Sequence, residues 1–197
     1  MARTRIIVNP VAGNGRSAKK WERLEALLRE EGLEFDAALT GGRGDATRLA
    51  AEAVEEGCNL VVAVGGDGTA SEVANGLMAA TSANPGDVRM GMVPTGRGVD
   101  FCRTVGIPVD CAEAARRLLS DRVVRLDVGE MHYISLGKPE SRYFINFAGL
   151  GFDVEVTRRA NSIAPRGGGT VPYLSAVFLS LFSYRNKRVE MVFDGKV

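Results

Sequence analysis

Four apolar runs of strand length mark the first half of this chain, and each opens into a loop rich in glycine. "TRIIVN" leads into "NPVAGNG", "LEFDAAL" into "TGGRGDA", "NLVVAV" into "GGDGT", and "RMGMV" into "PTGRGVD". Helical patterns separate the first three runs and follow the third. Ser17 to Glu31 carries Trp21, Leu24, Leu27 and Leu28 at helical spacing before Gly32, Asp45 to Glu56 ends at Gly57, and Ser71 to Ala80 forms the third. Strand and helix alternating in this way predict an α/β fold, a mostly parallel sheet covered by helices on both faces. With 197 residues the chain is long enough to bury a proper core as one large or two small domains.

Asp110 to Leu119 reads as one more helix, with Asp110 as its N-cap. The texture then changes. "VVRLDVGEMHYISL" and "SRYFINFAGLGF" are strand-like runs with no helix between them, so the expected organisation is an α/β domain over 1–122 and a β-rich region over 123–197. Inside the latter, "VPYLSAVFLSLFSYR" is the most apolar segment. Its roughly 15 residues fall short of the ~20 that a membrane-crossing helix needs, so it reads as a core helix. "RVEMVFDG" reads as a final strand that ends almost as it begins. An unpaired edge there implies a truncated sequence or a partner chain, a homodimer being one such arrangement.

Composition narrows the function classes. Net charge is +1, with 45% apolar and 25% charged residues, so the chain as a whole has no signature of a nucleic-acid binder. Cys58, Cys102 and Cys111 form neither a CxxC nor a Cys/His metal pattern, which argues against a disulfide framework or zinc site and for a reducing cytoplasm. The N-terminal apolar run is far too short for a secretory signal.

In an open parallel sheet a ligand binds at the carboxyl ends of the strands, where all four glycine-rich loops fall. Glycine lets a ligand approach backbone N–H groups, as phosphate oxygens require, although turns of this type favour glycine in any case. "GGDGT" is the most specific of the four. Gly65, Gly66 and Gly68 leave no side chains between backbone and ligand, while Asp67 puts a carboxylate in the same space. Beside phosphates that carboxylate needs a cation, which implies Mg²⁺ held through water; the plainer reading is a turn aspartate bonding its own backbone. Thr69 opens a helix whose N-terminus favours an anion, and Thr69 with Glu72 also fits a capping box. No P-loop is present. Gly13, Gly15 and Ala18 form a G-x-G-x-x-A pattern, which keeps open a Rossmann-type NAD(P)-binding oxidoreductase. That fold wants an acidic residue at the end of strand two, where this chain has Thr40 and not Asp36.

Taken in order, these motifs resemble the bacterial diacylglycerol kinase-like lipid kinases, which share a catalytic domain with sphingosine and ceramide kinases. "NPVAGNGRSAKK" resembles the family's opening turn, "GGDGTASEVANGL" its central motif, and "FINFAGLGFDVEV" the segment that opens its second domain. GGDGT alone is shared with NAD kinases, and phosphofructokinases carry a close variant; the ordered set is what specifies the lipid kinases. The resemblance implies a phosphofructokinase/NAD kinase-like first domain followed by a β-sandwich, and ATP-dependent, Mg²⁺-assisted phosphorylation of a lipid hydroxyl. It assigns Asn9, Thr40, Gly65, Gly66, Asp67, Gly68, Thr69, Glu72 and Gly96 to the nucleotide and Asp67 to metal and phosphates. It also places the general base beyond Val197, in a segment that returns to the first domain. On that reading the fragment binds nucleotide and transfers phosphate poorly.

One loop departs from the family pattern. Where members have Pro-x-Gly-Thr-x-Asn-Asp-Phe-Ala-Arg, this chain has "PTGRGVDFCR", with Arg97 for the threonine and Val99 for the asparagine. Either the lost hydroxyl and amide weaken nucleotide binding, or Arg97 supplies a charge to the phosphates; a non-catalytic nucleotide-binding regulatory protein is the corresponding alternative. A lipid kinase must also meet a membrane. Arg158, Arg159, Arg166, Arg185, Lys187 and Arg188, with no acidic residue among 158–188, are either a surface for anionic lipid at the inner membrane face or a solvated basic face.

Overall fold

The computed structural model describes residues 3–81, 88–96, 98–120, 122–149, 151–163 and 170–186. By packing they divide into two compact units, 1–146 and 147–197.

The first unit is built on four parallel strands, β1 (Thr4–Val8), β2 (Asp36–Leu39), β3 (Leu60–Gly65) and β4 (Arg89–Pro94), in the order β2-β1-β3-β4. Ile7 lies between Ala38 and Ala63, and Val64 pairs with Val93. Side chains alternate between the faces of a strand, and the buried residues sort accordingly. Ile6, Val8, Val62, Val64 and Val93 face Trp21, Leu24 and Leu28 of α1 (Arg16–Glu30), with Ala114 and Ala115 of a short helix near residue 111. Ile7, Val61 and Ala63 face Ala46, Leu49, Ala50 and Ala53 of α2 (Asp45–Glu55) and Val73 and Leu77 of α3 (Asp67–Thr81). Helices therefore cover both faces, as the alternating sequence requires. Chain order reverses between β1 and β3, which puts the switch point of the sheet between the loops that follow those two strands.

Two further helices complete the unit's α-layer: α4 (Asp100–Val105) and α5 (Cys111–Arg117). Asp110 caps α5 as expected, its carboxylate accepting from the N–H groups of Ala112 (3.0 Å) and Glu113 (2.9 Å). A hairpin of β5 (Gly129–Ser135) and β6 (Lys138–Phe144) forms a second, small antiparallel sheet. Residues 123–128, read from sequence as strand, belong to no strand; β5 starts only where a partner strand exists. The hairpin packs with the first unit because its backbone is bound by α3, so the division by packing falls after the hairpin and not before it.

The second unit holds α6 (Phe152–Ile163) and α7 (Thr170–Ser183), with Phe152 packed edge-to-face on Tyr184 at 5.5 Å. "GF" at 151–152, expected at the end of a strand, instead starts α6, because Gly151 has φ +83 and breaks extension. Helix α7 was expected in a core. Among its described residues Ala176 and Ser180 are buried, whereas Leu174, Phe178, Leu181 and Phe182 are exposed. The expected final strand, with Asp194 and Gly195, lies outside the described residues, as do Arg97, Arg166, Lys187 and Arg188.

Candidate functional site

The loops after β1 and β3 meet at the switch point through Asn9. Its N–H donates to the Val64 carbonyl (2.9 Å), which extends the pairing of β1 with β3 by one residue. Its side chain turns back on itself, Oδ1 accepting from the Val11 N–H (3.2 Å), and Nδ2 donates to Oγ1 of Thr69 (3.1 Å). Thr69 is buried in the first turn of α3.

That helix begins earlier than periodicity suggests. Asp67 is its first residue, and the Ala70 N–H already donates to the Gly66 carbonyl (3.0 Å). Apolar spacing starts only at Ala70 and Val73, so the glycine-rich turn that opens the helix has no apolar signature. The capping-box expectation is corrected as well. Thr69 lies inside the helix, and the Glu72 carboxylate turns to α2, accepting from the N–H groups of Gly44 (2.9 Å) and Ala46 (3.3 Å).

Asp67 binds neither its own turn nor its own helix. Its Oδ1 accepts from the Phe101 N–H (3.1 Å) and its Oδ2 from the Asp100 N–H (3.3 Å), the first N–H groups of α4. Val99, at the N-cap of α4, has no side-chain acceptor to offer, so a carboxylate from α3 takes that place. Sequence reading missed α4, since six residues are too few to show a period; the signal was an acidic first turn at Asp100 and a basic last turn at Arg103. Val99 itself is buried with Ala70, Met92, Phe101 and Cys102, an apolar setting that explains a valine where the family pattern has asparagine. Burial pushes the Cys102 thiol up to about 11, and the nearby Asp67 charge adds to it.

The glycines divide by role. The place a Cβ would take at Gly65 is filled by Thr69, and one on Gly96 would stand 2.5 Å from the Cα of Gly66. The Gly65 carbonyl accepts from Thr95 (2.8 Å) and Gly96 (2.9 Å), and a buried hydroxyl pair, Ser17 with Thr95 at 2.7 Å, fastens the fourth loop to α1. Gly65 thus clears room for the Thr69 side chain, and Gly96 for the backbone of Gly66. Gly68 differs, with nothing within 4 Å of its Cβ position.

Asn9, Gly65, Gly66, Asp67, Gly68, Thr69 and Gly96 thus form one bonded constellation at the carboxyl edge of the sheet. Thr40 stands on the same edge at the end of β2, its N–H on the Val8 carbonyl (2.9 Å). In the loop that follows, Asp45 Oδ2 accepts from the Gly41 N–H (2.8 Å), and that bond together with Arg48 holds its carboxyl below the usual carboxylate range. Asp36 begins β2 at the opposite edge, 3.8 Å from Arg3, so it does not stand at the strand end where a Rossmann fold would hold a ribose. Among the described residues no three His, Cys, Asp or Glu side chains converge as a metal cage. A single carboxylate in a glycine-rich turn suits Mg²⁺, which keeps its waters and shares its ligands with phosphate.

Fold and site define an open α/β domain with its candidate site at the topological switch point. The chain belongs to the diacylglycerol kinase catalytic domain family, which matches residues 3–131. It is 34% identical over 200 residues to the diacylglycerol kinase of Bacillus subtilis (strain 168), covering 100% of this chain and 61% of that protein. It is 30% identical over 195 residues to the diacylglycerol kinase of Staphylococcus carnosus (strain TM300), covering 99% of this chain and 60% of the relative. A solved structure of a diacylglycerol kinase from Bacillus anthracis str. Sterne aligns with TM-score 0.55 at 30% identity, over 70% of this chain and 47% of that one. The chain therefore spans about three-fifths of the length of these curated relatives.

Proposed function

We propose that this chain carries the nucleotide-binding part of an ATP-dependent kinase that phosphorylates the hydroxyl of diacylglycerol or a related lipid. The carrying observation is the Asn9–Thr69 bond, 3.1 Å, which joins the first loop to GGDGT at the switch point of the sheet. Around it, the N-terminus of α3 and the open space over Gly68 suit phosphate oxygens. Asp67 would hold Mg²⁺ through water, and the cation would neutralise charge on the β- and γ-phosphates. In the transfer, the lipid hydroxyl oxygen bonds to the γ-phosphorus, the bond to the β-phosphate oxygen breaks, and ADP leaves. We place the base that takes the hydroxyl proton beyond Val197.

Such an enzyme works in the cytoplasm and touches the inner face of a membrane. Among the described residues no helix is long and apolar enough to cross one. Exposed Leu174, Phe178, Leu181 and Phe182 on α7, with Arg185 just beyond, support peripheral contact; a homodimer would cover the same face. The direct test is ADP production from Mg²⁺·ATP with diacylglycerol in mixed micelles. Lipid-dependent release with phosphatidic acid as product is expected. Phosphorylation of NAD or a sugar phosphate instead would remove the lipid assignment, and ATP binding without turnover in the full-length protein would favour a regulatory nucleotide-binding role.

A further inference from the structure

Glu72 stands one and a half turns into α3, on a helix whose first residues already bind two other loops. Both oxygens of its carboxylate are engaged away from α3, on the N–H groups of Gly44 and Ala46 at the start of α2. Gly44, the N-cap of α2, has φ +84 and no side chain to accept those N–H groups, so a carboxylate from the neighbouring helix is the acceptor that α2 has. Two contacts lock the arrangement. Thr47 Oγ1 donates to the Glu72 carbonyl (3.0 Å), and the Thr47 carbonyl fills the place a Cβ would need at Gly76, one turn further on. The two helices cannot slide without breaking both.

The loop between β2 and α2 is consequently tied by Thr40 on Val8 of β1, by Gly41 and Gly42 on Asp45, and by Gly44 on Glu72. The last of these bonds comes from α3, the helix that GGDGT opens. We infer that Glu72 is a positioning residue for the nucleotide, acting through α2 and the Thr40–Gly44 loop and not on phosphate or metal. This rests on the ATP-binding reading above. Asp67, Thr69 and Glu72 then have one role in common, each tying α3 to a different loop of the sheet edge.

The test measures Mg²⁺·ATP affinity by titration calorimetry for the wild-type chain, Glu72→Ala, Glu72→Gln, Thr40→Ala and the Glu72→Ala/Thr40→Ala double variant, with amide exchange read over 41–46. Glu72→Ala should weaken binding about tenfold and Glu72→Gln, which keeps one acceptor, by less. Exchange should speed up at Gly44 and Ala46 while the β3 amides stay protected. In the double variant the Thr40→Ala change should cost little more, because the loop is already released. Losses that multiply, with exchange over 41–46 unchanged, would place Glu72 on the nucleotide and overturn the inference. If Glu72→Ala fails to fold, Glu72→Gln carries the same comparison. A wild-type chain that binds no ATP would instead overturn the ATP reading itself.

Discussion

Asn75 binds both backbone groups of Tyr143: its Nδ2 donates to the Tyr143 carbonyl (2.8 Å) and its Oδ1 accepts from the Tyr143 N–H (2.9 Å). The side-chain amide acts as a substitute strand, and it attaches the β5–β6 hairpin to the helix that starts at GGDGT. The same Nδ2 also donates to the Ser71 carbonyl (2.8 Å), so both hydrogens of the amide are in use. Asn75→Asp keeps one acceptor but sets a second oxygen against the Tyr143 carbonyl, whereas Asn75→Ala merely leaves the groups unpaired. Unfolding in urea should therefore rank the aspartate variant below the alanine, the latter costing about 1–3 kcal/mol. Equal losses would show that the amide donor contributes nothing.

Gly68 and Gly96 make opposite predictions from the same residue type. Gly96→Ala would drive a methyl into the backbone of Gly66, so loss of stability and of nucleotide binding should come together. Gly68→Ala meets nothing within 4 Å and lies in the first turn of α3, where alanine is favoured over glycine by up to about 1 kcal/mol. That variant should melt no lower than wild type while Mg²⁺·ATP affinity falls about tenfold, if phosphate uses the open space. Unchanged affinity would move the phosphates away from Gly68.

Asp67→Ala separates the observed cap of α4 from the metal role proposed for the same carboxylate. Loss of the cap on α4 should cost about 1 kcal/mol, visible in thermal unfolding without ligand. Loss of a metal partner should appear only as a weakened Mg²⁺ dependence of ATP binding. Global unfolding of the variant would show that the residue is chiefly structural.

These distinctions mark where the sequence was legible. The strands, the parallel sheet, α1, α2 and the Asp110 cap follow from apolar spacing and from glycine or a capping side chain at the ends, signals that lie within a few residues of one another. So does the gathering of four loops on one edge. What stayed hidden was longer in range. Glu72 and Asp67 find their partners on other helices, 28 and 34 residues away at Gly44 and Phe101, and no local pattern records such pairs. Gly65 and Gly96 looked alike with Gly68 because a sequence does not show what each Cβ would strike. In the second unit, α6 was concealed because Phe152, Val154 and Val156 follow a strand's period of two, although in the helix Val156 is buried and Val154 exposed.

The hairpin turn carries an avoidable strain. Leu136 and Gly137 both have positive φ, +49 and +78, as a two-residue turn between antiparallel strands requires, and Leu136 is fully exposed. Glycine accepts that conformation without cost and leucine does not. Leu136→Asn should thus stabilise the protein by about 0.5–1 kcal/mol in urea unfolding, leaving ATP affinity unchanged. A lower midpoint would mean that the leucine side chain packs in solution.

The alkaline limit of stability should depend on Cys102. Its thiol is buried and titrates near 11 in the fold, against an ordinary value of 9.0. Below pH 9 the thiol is protonated in folded and unfolded chains alike, and the fold keeps its full stability. Between pH 9 and about 11 the unfolded chain releases the proton while the folded one retains it, so stability falls as pH rises through this window. Cys102→Ala removes the ionisable group, and its unfolding midpoint should decline less steeply over that range than wild type, from a lower start set by the lost sulfur packing against Met92. Parallel declines in the two proteins would assign the alkaline loss to other groups.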